Sequence, residues 1–263
     1  MAEMARLVAA ASERPGAEDL LLASESDTQA WFGRMDKARE LTRRAIESAI
    51  RDHALEPAAD YRAEAALREA EVHNLKQART DAAKSLKLAS NRTVRVMAAL
   101  ALARAGDTAR SEKLANELHK DFPLDTLVQR YWLPTIRAAV ELQRHNPSKA
   151  IELLEASRPI ELGLRTQLTV SLCPVYVRGD AYLMQQNGRV AAAEFQKFFD
   201  YSGAVRNFPL GALARLGLAR SYALQGDTTK ARAAYQEFLA VWKDADPEIP
   251  ILKQAKAEYA KLQ

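Results

Sequence analysis

The feature that most constrains this chain is a tripeptide used twice, Gly106-Asp107-Thr108 and Gly226-Asp227-Thr228, each time between two amphipathic stretches. Glycine reaches the left-handed backbone that closes a helix, and an aspartate side chain accepts from the free N–H groups that open the next. Before the second copy, Leu213, Leu216, Ala219, Tyr222 and Leu224 recur at helical spacing, and beyond it Ala231, Ala234, Tyr235 and Phe238 do the same. Residues Ala212–Phe238 therefore predict a helix, a tight turn and a second helix. One such hairpin cannot bury both its faces, so copies of it are expected to stack along the chain.

The pattern recurs. Glu18–Gln29 and Asp36–Arg51 pair around Phe32-Gly33, Ala58–Glu71 with Lys76–Leu88, and Thr93–Arg104 with Thr108–Lys120. A helix capped by Asp125 and running to Gln143 pairs with Ser148–Glu155, and Ser171–Gln185 pairs with Arg189–Phe199. His73 stands where glycine is usual, which predicts a looser turn. Two stretches break the spacing and read as insertions, 158–170 and 200–211. Met1, Met4, Leu7, Val8 and Ala11 form a helical stripe, so 1–14 reads as a half-repeat, leaving open whether Met1 is a true start or internal to a longer chain. Residues 247–263 carry Ile251, Leu252, Ala255, Tyr259 and Leu262 on one face and read as the capping helix that a repeat array needs. The expectation is a single all-α domain over 1–263, with about six helix–turn–helix hairpins and a C-terminal cap.

The hairpin resembles the tetratricopeptide repeat (TPR), a helix–turn–helix of about 34 residues. Ala219, Gly226, Ala231 and Tyr235 fall on that family's small, turn, small and aromatic positions, and Tyr222 on its first-helix aromatic. YWLPTIRAAVEL (131–142), PVYVRGDAYL (174–183), the run 211–239 and the run 242–263 are similar to the C-terminal TPR region of bacterial serine/threonine protein kinases and of related winged-helix regulators. The resemblance implies a right-handed superhelical solenoid and a non-catalytic protein–protein scaffold. The alternative is the regulatory or sensor segment of a longer kinase or transcriptional regulator whose catalytic or DNA-binding domain lies outside this chain. A third reading is a small-ligand sensor with the insertions closing over the superhelix.

Chemistry is sparse. No two of the ten glycines are two apart, which excludes a G-x-G-x-x-G loop, and neither Gly-Lys nor His-Arg-Asp nor Asp-Phe-Gly occurs. Four scattered histidines and one cysteine predict no metal site, no cofactor is expected, and the chain reads as no enzyme. Cys173 reads as a small apolar helix residue rather than a nucleophile. The 38 basic and 34 acidic residues leave a net charge of +4 and are interspersed, so no nucleic-acid partner is expected. The densest basic run, Arg34, Lys37, Arg39, Arg43, Arg44 and Arg51, is interleaved with Glu40 and Glu47 and reads as a solvated helix face. No apolar run approaches the ~20 residues that span a bilayer, and the first residues make a poor signal peptide, so a cytoplasmic setting is favoured.

The partner expected is a protein or peptide. The TPR concave face is lined by first-helix residues, and the resemblance places Trp132, Thr135, Cys173, Tyr176, Leu183, Met184, Leu213, Leu216 and Arg220 there. That groove is either a partner site or a core filled by the two insertions. Since every phosphate-handling motif is missing, the purified chain should neither bind ATP nor phosphorylate a generic substrate. Saturable ATP binding at micromolar concentration, measured by titration calorimetry, would overturn this.

Overall fold

The computed structural model describes Arg6 and residues 17–163 and 170–262. Apart from Arg6, the half-repeat expected over 1–14 lies outside the described residues, as do Leu164 and Leu168 of the first insertion. Among the described residues there is no strand. Six hairpins follow one another: α1 (Glu18–Trp31) with α2 (Met35–Arg51), α3 (Leu55–Glu71) with α4 (Leu75–Leu88), and α5 (Arg92–Arg104) with α6 (Thr108–Asp121). Then come α7 (Leu133–Gln143) with α8 (Pro147–Leu154), α9 (Cys173–Met184) with α10 (Gly188–Asp200), and, after the short α11 (Ser202–Val205), α12 (Leu210–Leu224) with α13 (Thr228–Val241). A last helix, α14 (Pro250–Ala260), closes the array.

The turns share one device. Gly33, His73, Gly106, Gln186 and Gly226 all adopt positive φ just past a helix, as do His53 and His145. The turn at His73 is not looser. His73 N donates to the Ala70 carbonyl at 3.0 Å and Asn74 N to the Glu69 carbonyl at 2.8 Å, matching 3.0 and 2.8 Å for Gly106 and Asp107. Histidine is among the few side chains that tolerate the left-handed region, so it replaces glycine at a small cost in strain and none in hydrogen bonding. Asp107, Asn187 and Asp227 then accept from the N–H three residues on, opening the second helices.

Small residues set the helix spacing. Ala38, Ala45, Ala66, Ala78, Ala191, Ala219 and Ala231 are fully buried. The Phe195 ring lies between Gly179 and Gly217, where an added Cβ would stand 2.7 and 2.6 Å from it. Ahead of α7 the helix widens into a π turn over Val128–Trp132. Pro134 has no N–H to offer the carbonyl four residues back, so the ladder re-forms at wider spacing.

The array closes on itself. Trp242 Nε1 donates to the Trp31 carbonyl at 2.9 Å, Asp246 N donates to the Gly33 carbonyl at 3.0 Å, and the Asp246 carboxylate accepts from Asp36 N at 2.7 Å. The second insertion joins in: Asn207 donates to the Ser24 carbonyl at 2.7 Å and to Thr28 Oγ1 at 3.0 Å. Gly33 needs its missing side chain twice, for φ +73° and because a Cβ would come within 2.5 Å of Ala245 and 2.8 Å of Trp242. Because Asp246 is spent on the first hairpin, the capping helix starts at Pro250 rather than at Pro247, with proline in its first turn.

Trp242 is buried against Phe238 at the seam between the ends of the chain. Trp242→Ala should cost about 3–5 kcal/mol. Hydrogen exchange should quicken in α1 and at Phe32–Arg34 as well as around position 242. Unchanged protection of the first hairpin would show that the ends are not coupled.

Candidate functional site

The inner face is held by charged side chains on first helices. Arg104 of α5 donates from Nε and Nη2 to Glu71 of α3, both at 2.8 Å, and from Nη2 to Asp180 of α9 at 2.7 Å. Its guanidinium also stands 5.7 Å from the centre of the Tyr176 ring. Burial works against the Arg104 charge, but the Glu71 and Asp180 carboxylates outweigh it and raise its pKa further. Arg220 of α12 forks onto Glu258 of α14 at 2.9 and 3.1 Å, and the Tyr235 hydroxyl donates to the same carboxylate at 3.0 Å. One arginine thus ties three hairpins together, and the other ties the last hairpin to its cap.

Six of the nine expected groove residues are buried: Trp132, Thr135, Cys173, Tyr176, Leu213 and Leu216. Trp132, Tyr176, Leu213 and Leu216 join one apolar core, with Leu183 packed against it. Tyr176 meets Phe195 and Phe198 edge-on at 5.6 and 6.0 Å. The Thr135 hydroxyl donates to the Tyr131 carbonyl at 2.6 Å. Arg220 is partly accessible, and Met184, at 40% exposure, is the most open of the nine. Cys173 is buried and burial pushes its thiol up, away from the thiolate a nucleophile needs.

The first insertion docks through charge rather than through its leucines alone. Glu161 accepts from Arg178 Nη1 at 2.9 Å and from Nη2 at 2.5 Å, and Arg178 Nη2 also donates to Glu194 at 2.9 Å. Lys197 completes the cluster at 2.8 Å from Glu194. The second insertion contributes Val205 and Phe208, both buried, to the seam with α1. The sequence reading missed Glu71, Arg104 and Glu258. For Glu71 and Arg104 the available signal was their place on first helices near the turn, where Asp180 and Arg220 also fall; Glu258 lies on the closing helix α14.

The outer face carries clefts at equivalent places, between the second helices of successive hairpins. Between α2 and α4, over α3, lies one of about 360 Å³. Between α6 and α8, over α7, lies one of about 220 Å³, and between α10 and α13, over α12, one of about 350 Å³. The first counts five cations among its thirteen lining residues, Arg39, Arg43, Arg62, Arg68 and Lys84, the first four of them ion-paired with carboxylates.

These features define a class of protein: an all-α solenoid of stacked, TPR-like helical hairpins. Among solved structures the chain is similar to yeast Tom70, a TPR-containing helical protein, with a TM-score of 0.55 and 17% identity over 99% of this chain. The chain spans 57% of the length of that one, and at such identity the likeness is one of fold. A scan against protein-family models finds no match, and neither does a search of curated proteins.

One carboxyl on α3 is out of balance. Burial, and then the nearby charge of Glu56, push Asp60 up to about 6, and its buried Oδ1 has no hydrogen-bond partner. A carboxyl that titrates above the ~3.9 of an unfolded chain binds its proton more tightly when folded. Its contribution to stability is full below the ~3.9 of the unfolded chain and lost as pH rises through about 6. Asp60→Asn should therefore stabilise the protein at pH 7.5 by about 1 kcal/mol, the open side of the carboxyl being screened by solvent, and change little at pH 4. Thermal midpoints at the two pH values check this.

Proposed function

We propose that this chain is a non-catalytic scaffold that holds protein or peptide partners, in a cytoplasmic setting. The observation that carries this reading is the outer cleft that recurs at three junctions between successive hairpins. A stacked array presents the same kind of groove several times, and such extended surfaces are how repeat proteins bind. The TPR-like fold supports the general role.

A second surface is the inner groove. Leu183, Met184 and Arg220 remain reachable at its rim, and separation of the Trp31–Trp242 seam would give a segment access to Tyr176, Leu213 and Leu216. Tyr176→Ala with Arg220→Ala separates the two surfaces. Partner contact on the outer clefts predicts preserved capture by the surviving folded fraction, with about 3–5 kcal/mol lost from stability through the aromatic truncation. Contact on the inner groove predicts lost capture even after correction for the folded fraction. Photo-crosslinking groups placed in turn at Met184, Lys149 and Lys230 read the same distinction as adducts. Adducts at none of these positions in the presence of a candidate partner would overturn the scaffold reading.

The likeness of 131–142, 174–183, 211–239 and 242–263 to kinase-associated TPR regions is the ground for assigning the scaffold to a signalling polypeptide. Kinase or winged-helix sequence encoded in frame upstream of Met1 is the observation that tests it.

A further inference from the structure

The last helix does not sit where simple stacking would put it. Between earlier hairpins a first helix follows the preceding second helix after three residues, 52–54 before α3 and 89–91 before α5. Eight residues, 242–249, separate α13 from α14. They run first to the other end of the array, where Trp242 and Asp246 bind the backbone of Trp31, Gly33 and Asp36. From there α14 returns across the inner face. Ile251 N donates to the Val72 carbonyl at 3.4 Å, and Gln254 meets the His73 side chain, both at the turn after α3. Two turns further on, Glu258 receives the fork of Arg220 on α12 and the Tyr235 hydroxyl of α13. Ile251 and Glu258 stand about 10 Å apart along the helix, so α14 bridges the second hairpin and the sixth. A cap for the last hairpin alone would have no reason to reach His73.

The hold on α14 is narrow. The helix has 11 residues, of which Ile251, Leu252 and Ala255 are buried. A helix of that length is marginal in water by itself, so α14 keeps its form by being docked. The rest of the contact is polar and aromatic. Gln236 donates to the Tyr259 hydroxyl at 2.9 Å, and the Tyr259 ring lies 5.9 Å from that of Tyr235. The receiving side chains belong to α12 and α13, whose own packing places them. When α14 departs, Glu258 departs with it, and Arg220 is left beside the core with a charge that another carboxylate must meet.

We propose that the inner face between the second and sixth hairpins is the docking site of a partner's amphipathic helix, and that α14 is its resident occupant, displaced when the partner binds. The proposal deepens the inner-groove surface of the scaffold reading and rests on it. The occupant shows the chemistry that fits. Two adjacent aliphatic residues are followed by a small residue three positions on, a carboxylate three further and an aromatic next to it, as in Ile251, Leu252, Ala255, Glu258 and Tyr259. Spacings of three and four keep the apolar residues and the carboxylate on one side of the helix. The carboxylate fixes the register, because the two-armed Arg220 guanidinium and the Tyr235 hydroxyl converge on one point. Tethering gives α14 a high effective concentration at the groove, so a free helix with the same contacts competes poorly against it. A partner must therefore hold more of the groove than α14 does.

The test uses the full chain and two fluorescein-labelled peptides, one with the sequence of residues 247–263 and one with that sequence carrying Glu258→Arg. In the chain, Leu252→Asp releases α14, because its buried position does not accept a charge, and adding Arg220→Glu reverses the receptor. Fluorescence anisotropy should show the unaltered peptide binding the Leu252→Asp chain at micromolar concentration. It should bind the native chain at least tenfold more weakly, because there α14 competes. The reversed peptide should bind the chain with both changes, and each peptide should lose at least tenfold on the mismatched chain. Ile251→Asp takes the place of Leu252→Asp if that chain loses its cooperative melt. In isotope-labelled native chain, excess peptide should quicken hydrogen exchange in α14 and not in α12, a readout that needs no variant. The proposal is overturned if the released chain fails to bind, if the native chain binds as tightly, or if mismatched pairs bind as well as matched ones. A native chain that sediments as a dimer and is split by the peptide would place α14 of a second copy in the groove and overturn the partner reading. Any of these outcomes together with crosslinked adducts at Lys149 or Lys230 would leave the scaffold reading standing on its outer clefts and remove only the inner helix site.

Discussion

The structure depends on the contact between its two ends. A helical hairpin buries one face against its neighbour and leaves the other for the next, so a stack of six has two raw ends. Here each end covers the other. The Trp242 indole fills the space that Gly33 leaves empty and hydrogen-bonds the carbonyl of Trp31, while Asp246 satisfies backbone groups on both sides of the same turn. Residues more than two hundred positions apart thereby become neighbours, and the array gains a contact that nearest-neighbour stacking cannot supply.

Closure changes what the inner face can be. An open solenoid would leave Tyr176, Leu213 and Leu216 facing a groove, whereas here they lie in the core. The polar groups that remain inside are matched in pairs, because an unpaired charge in that setting would be costly. Arg104 satisfies Glu71 and Asp180 together, and Arg220 meets Glu258 with both arms of its fork. The same rule explains the first insertion. Glu161 is carried into the protein because Arg178 and Lys197 are there to receive it, and residues 158–163, which have no repeat spacing, acquire a defined position.

With the inner face occupied, the periodic outer surface gains weight. Its clefts share one position, over a first helix and between two second helices, and differ in what lines them. Cations and carboxylates are equal in number in two of the three, and in the one over α3 four of the five cations are held in ion pairs. Repetition supplies the shape, and local substitution supplies the difference.

The sequence by itself determined the hairpins. Helical spacing, buried alanines and the doubled Gly-Asp-Thr turn are short-range signals, since a turn closes within five residues and a helix face repeats within four. The six hairpins and their order were legible for that reason. Only the tertiary structure decided that His73 turns as tightly as Gly106, because tolerance of the left-handed backbone is a matter of fit with the surrounding hydrogen bonds. The contact of Trp242 with Gly33 and the union of Glu71, Arg104 and Asp180 were likewise decided in three dimensions. Each joins residues from different hairpins, and the distance between hairpins follows from the summed rotation of the whole stack, which no local window of residues contains.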